Sequence, residues 1–164
     1  MTLKVPKLGV FLALALILSY VESLIPFYFG IPGMKLGLTN VIIVLILYLD
    51  DWKDAALISF TRVLIAGFMF GNVYSIIYSL GGALLSFLIM LILKKTMNLH
   101  IITISICGGI FHNIGQIIVA VWAMDNIYIA GYIPALYIAG IITGFLIGLL
   151  AYELYPRLRK VFNR

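Results

Sequence analysis

The stretch VYSIIYSLGGALLSFLIMLIL, Val73 to Leu93, contains no charged residue and is followed at once by Lys94 and Lys95. About 20 apolar residues in a helix cross the roughly 30 Å hydrocarbon core of a bilayer. Basic residues typically flank the cytoplasmic end of such a helix. This stretch therefore predicts a transmembrane helix that ends in the cytoplasm.

The rest of the chain has the same apolar character. Of its 164 residues, 64% are hydrophobic and 10% are charged, and the mean hydropathy is +1.18. A water-soluble domain of this size cannot hide so much apolar surface. We therefore expect an all-α integral membrane protein with a single transmembrane domain, residues 1–164. The net charge of +5 is expected at helix ends, where it sets topology, and not in a nucleic-acid site.

Proline, glycine and charged residues divide the chain into six predicted transmembrane helices. With the N-terminus inside, nine of the 11 basic residues fall on the cytoplasmic side, the exceptions being Lys35 and Arg62. This bias predicts cytoplasmic N- and C-termini and a multi-pass protein of a prokaryotic-type plasma membrane. The predicted helices are Leu8 to Ile25, Leu36 to Leu49, Ala55 to Phe70, Val73 to Leu93, Ile101 to Met124 and Ile133 to Tyr152.

Polar residues at membrane depth are concentrated in the predicted outer half. A buried arginine costs several kcal/mol unless it faces protein or water, so Arg62 is expected to point inward with Glu22 as its counter-charge. His112 and Gln116 share a face of the fifth helix. These residues either line a ligand site or hold the helices together by an ion pair and hydrogen bonds. The candidate binding residues are Glu22, Lys35, Asn40, Arg62, Tyr78, His112, Asn113 and Gln116.

The chemistry of these candidates favours an anionic ligand. Lys35 and Arg62 outnumber Glu22, so a carboxylate, a phosphate or several carbonyls would compensate the excess positive charge. A single histidine with amide neighbours is a poor metal site. We therefore expect neither a metal nor a bound cofactor.

The run Asp50-Asp51-Trp52-Lys53-Asp54 spells D-D-x-x-D, the pattern by which prenyl diphosphate synthases hold magnesium on a diphosphate. Such an enzyme needs a second acidic motif facing the first, so that several carboxylates clamp the metals. The sequence has no second motif. We interpret the run as a solvated loop and a cap of the third helix, and we expect no enzymatic activity.

Short strings that combine glycine or proline with polar residues are spread over nearly the whole chain. They are Glu22 to Pro26, Pro32 to Asn40, Arg62 to Leu64, Tyr78 to Gly82 and, on the fifth helix, Ser105, Gly108, Gly109, His112, Asn113 and Gln116. Together they resemble the Gx transporter family, whose members are often labelled heptaprenyl diphosphate synthase component I. That family is similar to the S components of energy-coupling factor transporters, six-helix membrane proteins that bind vitamins or their precursors from outside.

The resemblance implies an S-component-like bundle that binds a small vitamin-like or anionic, amphipathic molecule. In those transporters, small residues of the first helix dock on a transmembrane coupling protein driven by two ATPases, and Gly9 and Ala13 look like that feature. Two alternatives stay open. One is a membrane subunit of polyprenyl diphosphate or quinone metabolism, as the label says. The other is a subunit of flavin-based extracellular electron transfer, a process with which related genes are associated.

Overall fold

The computed structural model describes residues 4–24, 37–97 and 99–162. These residues form six α-helices, and a short 3-10 helix, Ile127–Tyr132, joins the last two. The all-α prediction is confirmed, and most helix ends lie within a few residues of their predicted positions. The helices are α1 Lys4–Leu24, α2 Asn40–Leu49, α3 Trp52–Phe70, α4 Val73–Met97, α5 Ile101–Met124 and α6 Ile133–Phe162.

Four helical segments are long and apolar enough to cross a membrane: α1, α4, α5 and Ile127–Phe162, which combines the 3-10 helix with α6. They support a membrane-embedded protein. α3 has sufficient length but carries Lys53, Asp54 and Arg62. α2 has 10 residues, or about 15 Å of helix, half the thickness of the hydrocarbon core. The six spans and the cytoplasmic termini stay predictions.

α2 forms the centre of the bundle. Its first eight residues, Asn40 to Leu47, are all buried, and the helix packs against α3, α5 and α6. An uninterrupted run of Val, Ile and Leu suits a helix that is surrounded by protein on every side. The surrounding helices therefore shield α2 from lipid. Although α2 is short, its ends do not leave backbone groups exposed to the hydrocarbon core.

Glycines bring α5 and α6 into close contact. A methyl group at Gly140 would lie 2.9 Å from the Cα of Ile110, and one at Gly109 would lie 2.5 Å from the carbonyl oxygen of Gly140. Small residues let helix backbones approach closely in a membrane, where packing rather than the hydrophobic effect holds helices together. Gly140, Gly144 and Gly148, spaced four residues apart, are buried in this contact.

α1 begins and α6 ends at the same end of the bundle. The rings of Phe11 and Phe162 are 5.6 Å apart, and the Lys7 ammonium lies 4.4 Å from the centre of the Phe162 ring. We call this the basic end, because it gathers Lys4, Lys7, Lys53, Lys94, Lys95, Arg157, Arg159 and Lys160.

The predicted end of α6 at Tyr152 is wrong, because the helix continues through Pro156 to Phe162. Proline removes one backbone hydrogen bond from a helix. Leu154, Leu158 and Phe162 compensate by packing on the main apolar core. The last turns of α6 therefore close the basic end of the bundle.

Candidate functional site

Six buried polar side chains from five helices gather towards the end of the bundle opposite the basic end. None is more than 6% exposed. Since charged and amide side chains are seldom fully buried without a reason, their convergence marks the candidate site. We call this set the polar cluster; its members are Glu22 of α1, Asn40 of α2, Arg62 of α3, Tyr78 of α4, and His112 and Gln116 of α5.

Glu22 joins the end of α1 to the beginning of α2. One of its carboxylate oxygens, Oε1, accepts hydrogen bonds from the backbone N–H groups of Gly37 at 2.5 Å and Leu38 at 3.4 Å. Gly37 and Leu38 directly precede the N-cap residue Thr39, and hydrogen bonds from backbone N–H groups to a carboxylate are charge-assisted and strong. One turn along α1, the hydroxyl groups of Ser19 and Thr39 are 3.0 Å apart. These contacts hold the start of α2 against α1 and so position Asn40 in the polar cluster.

Arg62 is 4% exposed, and its guanidinium has a neutral hydrogen-bond partner. The Nη2 group donates to the Asn40 Oδ1 atom at 3.4 Å. Glu22 attracts Arg62 electrostatically, but no direct ion pair joins them; within the described ranges, the ion pairs at 4 Å or less are Lys4 with Asp54 and Lys7 with Asp50. The polar cluster therefore contains a buried cation without a direct anionic partner.

The His112 ring lies between two glycines. A methyl group at Gly37 would come within 3.3 Å of His112 Cδ2 and 3.2 Å of Asn40 Nδ2, and one at Gly82 would come within 3.0 Å of His112 Cε1 and 2.9 Å of Gln116 Cγ. Gly37 also has a φ of +82°, which glycine adopts without strain. The two glycines thus allow side chains of α2 and α5 to meet beside α4.

Several polar atoms of the polar cluster have no hydrogen-bond partner among the described residues. A buried polar atom left without a partner costs about 1 to 3 kcal/mol. Most buried polar groups in proteins are therefore paired, so these atoms are the groups that a bound molecule with hydrogen-bonding groups would pair. The atoms are Glu22 Oε2, Arg62 Nε, Tyr78 OH and both amide atoms of Gln116.

Asn113 does not join the polar cluster. Its Nδ2 group donates a 2.8 Å hydrogen bond to the backbone oxygen of Leu136 in α6. Successive residues of a helix point about 100° apart, so Asn113 faces α6 when His112 faces α4. The predicted site residue Lys35 lies outside the described residues.

Sequence reasoning gave no role to Ser19, Gly37, Thr39 and Gly82, which build the surroundings of the polar cluster. The spacing of these residues in the sequence nevertheless indicated that they lie near the candidate site residues. Ser19 lies three residues before Glu22, hence on the same face of α1, and Gly37 and Thr39 precede Asn40 directly. Such spacing identifies the residues around a site only when it is known which helices are neighbours.

Most of the chain matches the sequence model of a known family. A sequence model of the family described as heptaprenyl diphosphate synthase component I matches residues 11–154. The chain belongs to this family. The match contains every member of the polar cluster and leaves out the first turns of α1 and the end of α6. No curated protein and no solved structure matches the chain.

The acidic motif of this heptaprenyl diphosphate synthase component I member is paired with lysines of α1. Asp50 accepts from Lys7 at 2.7 Å, and Asp54 lies 2.9 Å from Lys4. Asp51 occupies the N-cap position of α3, yet its side chain makes no capping bond. Asp54 is 7% exposed, so the expectation of a solvated loop is wrong for this residue. Within the described residues, no group of three or more His, Cys, Asp or Glu side chains is placed to hold a metal ion.

The small residues Gly9 and Ala13 lie on the exposed side of α1. A methyl group at Gly9 would meet no atom within 4 Å. Gly9 borders a shallow apolar groove of about 340 Å³ between α1 and α3, whose other lining residues include Leu8, Leu12, Leu57, Ile58 and Thr61. This surface of α1 therefore faces away from the bundle.

Proposed function

We propose that this heptaprenyl diphosphate synthase component I member is the substrate-binding subunit of an energy-coupled membrane transporter. It captures a small anionic or amphipathic molecule, of the size of a vitamin, from outside in the polar cluster. The observation that carries the proposal is the buried guanidinium of Arg62, whose direct hydrogen-bond partner is the neutral amide of Asn40. In this proposal, Arg62 binds the ligand and performs no chemistry.

The charge of the polar cluster favours an anion as the ligand. Glu22 is engaged by two backbone N–H groups at the start of α2, so its charge is already partly compensated without Arg62. The guanidinium is suited to two parallel hydrogen bonds with a carboxylate or a phosphate. A ligand with such a group supplies the direct anionic partner that Arg62 lacks among the described residues.

A purely structural role for these residues is less consistent with the contacts. An ion pair that locks α1 to α3 needs direct contact between Glu22 and Arg62, and none lies within 4 Å. Burying a charge without a direct partner costs several kcal/mol. Such a cost is typical of a site held ready for a ligand.

The energy for transport comes from partner proteins in this proposal. The sequence contains no phosphate-binding loop for a nucleotide, so a transmembrane coupling protein with ATPase subunits is the expected partner. The exposed side of α1 with Gly9 and Ala13 is the proposed contact. Replacing both residues by Leu is expected to abolish co-purification of the coupling protein while ligand binding persists; unchanged co-purification would place the contact elsewhere.

The direct test is native mass spectrometry of the protein extracted gently from its own membrane. We expect a co-purifying small anion in the wild type that is lost from Arg62→Ala. Ser105→Ala is the matched control, because Ser105 is 3% exposed and its hydroxyl also lacks a partner, but it lies on α5 near the basic end. An anion that stays bound to a folded Arg62→Ala protein would contradict the proposal.

The family description favours a second candidate, a membrane subunit of polyprenyl diphosphate or quinone metabolism. This role gives Asp50, Asp51 and Asp54 a part in catalysis, whereas two of the three are paired with lysines. A strain with all three changed to Asn distinguishes the roles. Lost prenyl-chain synthesis would support the second candidate, and normal synthesis would remove it. A role in flavin-based electron transfer would instead appear as co-purification of a redox protein in the mass spectra.

A further inference from the structure

Gln116 is the most deeply buried amide of the polar cluster. It is 0% exposed, and neither its amide nitrogen nor its amide oxygen has a hydrogen-bond partner in the part of the chain that the structure describes. One side chain thus leaves a donor and an acceptor unpaired, at about 1 to 3 kcal/mol for each atom. A leucine or methionine of similar size would fill the same volume without this cost, so the amide is explained by a further group that meets it.

The position of Gln116 is fixed by the fold. Its Cγ atom lies against Gly82, where a methyl group would approach to 2.9 Å. His112, one turn earlier on α5, lies beside Gly82 with its Cε1 atom and beside Gly37 with its Cδ2 atom. Gln116 therefore lies beside Gly82, whereas Asn40, the hydrogen-bond partner of Arg62, lies beside Gly37.

The two sides of the polar cluster differ in chemistry. The side of Arg62 offers a cation, whereas the side of Gln116 offers a neutral donor and acceptor, with the unpaired hydroxyl of Tyr78 on the same helix as Gly82, one turn away. Another amide-like group pairs both polar atoms of a side-chain amide, because it offers one acceptor and one donor in the same plane. A carboxylate alone satisfies only the donor of Gln116.

We infer that the polar cluster binds a molecule with two different ends: a carboxylate or phosphate at Arg62, and an amide, lactam or ureido group at Gln116. This inference rests on the proposed function and narrows its ligand class. Simple fatty acids are poor ligands, because they leave the Gln116 amide unpaired. Sites built to hydrogen-bond a substrate discriminate strongly against analogues that lack the matching group.

Matched probes test the inference in nanodiscs of zwitterionic phosphatidylcholine. The probes are N-acetyl ω-amino acids with three to five methylene groups, of which 4-acetamidobutyrate is the first, and the alkanoates of the same chain length, of which heptanoate is the first. N-butylacetamide provides the amide without the carboxylate. Saturation-transfer NMR measures each Kd at probe concentrations up to about 10 mM, since fragments of this size bind weakly.

We expect at least one N-acetyl acid to bind the wild type about fivefold or more tightly than its alkanoate, as one or two net hydrogen bonds provide. Gln116→Leu is expected to abolish this preference and to keep alkanoate binding, and Gln116→Met serves if the leucine variant does not fold. Ser105→Ala is expected to keep the preference.

Two other outcomes overturn the inference in distinguishable ways. Equal binding of all N-acetyl acids and alkanoates, lost in Arg62→Ala, would show that Gln116 contacts only water, and the proposed function would stand. Absence of carboxylate binding that depends on Arg62 would remove the anion site, and with it both the inference and the proposed function.

Discussion

The two ends of this bundle differ in how their cationic side chains are paired. At the basic end, Lys7 contacts Asp50 and the Phe162 ring, Lys4 pairs with Asp54, and Lys94 donates to the backbone oxygen of Leu47 and lies over the Tyr48 ring. In the polar cluster, the hydrogen bond of the Arg62 guanidinium among the described residues goes to a neutral amide at 3.4 Å, and neither amide atom of Gln116 has a partner there.

On the proposed function, the difference separates polar residues that hold the fold from polar residues that bind a ligand. A paired charge at the membrane boundary stabilises the contact that it makes, whereas a buried polar group without a partner lowers stability. Proteins retain such a destabilising group where the free energy of ligand binding offsets the lost stability. Substitutions at the two ends should therefore act oppositely on stability and on binding.

The largest effect is expected for Arg62→Met. Loss of a charge-assisted hydrogen bond should weaken the binding of carboxylate probes by about tenfold to a hundredfold. The melting temperature should not fall, because the substitution removes a buried charge that lacks a direct anionic partner. Probe titration by NMR and thermal unfolding of the same preparation measure the two quantities. Unchanged binding together with a lower melting temperature would make Arg62 a structural residue like those of the basic end.

A smaller effect on both quantities is expected for Gly82→Ala. The added methyl group would lie 2.8 Å from the backbone oxygen of His112 and 2.9 Å from Gln116 Cγ, so α4 and α5 must separate slightly. Overpacking of this kind costs about 1 to 3 kcal/mol of unfolding free energy, and the displaced Gln116 should reduce the preference for amide probes severalfold. Gly131→Ala is the control, since no atom lies within 4 Å of its added methyl group. Equal behaviour of the two variants would contradict the packing described around His112.

The smallest effect is expected for Lys7→Met at the basic end. Lys7 and Asp50 have side chains that are 15% and 19% exposed, so loss of the pair should lower the unfolding free energy by about 1 to 2 kcal/mol and leave probe binding unchanged. The double variant Lys7→Met, Asp50→Leu should recover part of the lost unfolding free energy, because it no longer contains an unpaired carboxylate at position 50. Thermal unfolding checks the first expectation and probe titration the second. A change in probe affinity would show that the two ends are not independent.

The sequence predicted the helices well because long apolar runs alternate with sharp breaks such as Gly71-Asn72. The depth of the polar residues in the membrane stays a prediction. The end of α6 was missed because Pro156 resembles a terminator. Only the packing of Leu158 and Phe162 on the core shows why the helix continues.

Which side chains meet was less predictable than where the helices lie in the chain. Depth says nothing about the rotation of a helix or about its neighbours, so Glu22 was expected as the partner of Arg62, whereas its carboxylate binds the start of α2. Asn113 was grouped with His112 by proximity in sequence, yet it hydrogen-bonds α6. Arg62 and Gln116 were nevertheless identified, because a cation or an amide at membrane depth is unusual on any helix.

The most direct test of a ligand site in the polar cluster is an experimental structure of the protein purified gently from its own membrane. The account predicts density for a small molecule in contact with Arg62 and Gln116, with an anionic group at the guanidinium. Density for water alone, or side chains that pair Arg62 directly with Glu22 and close the space, would contradict it.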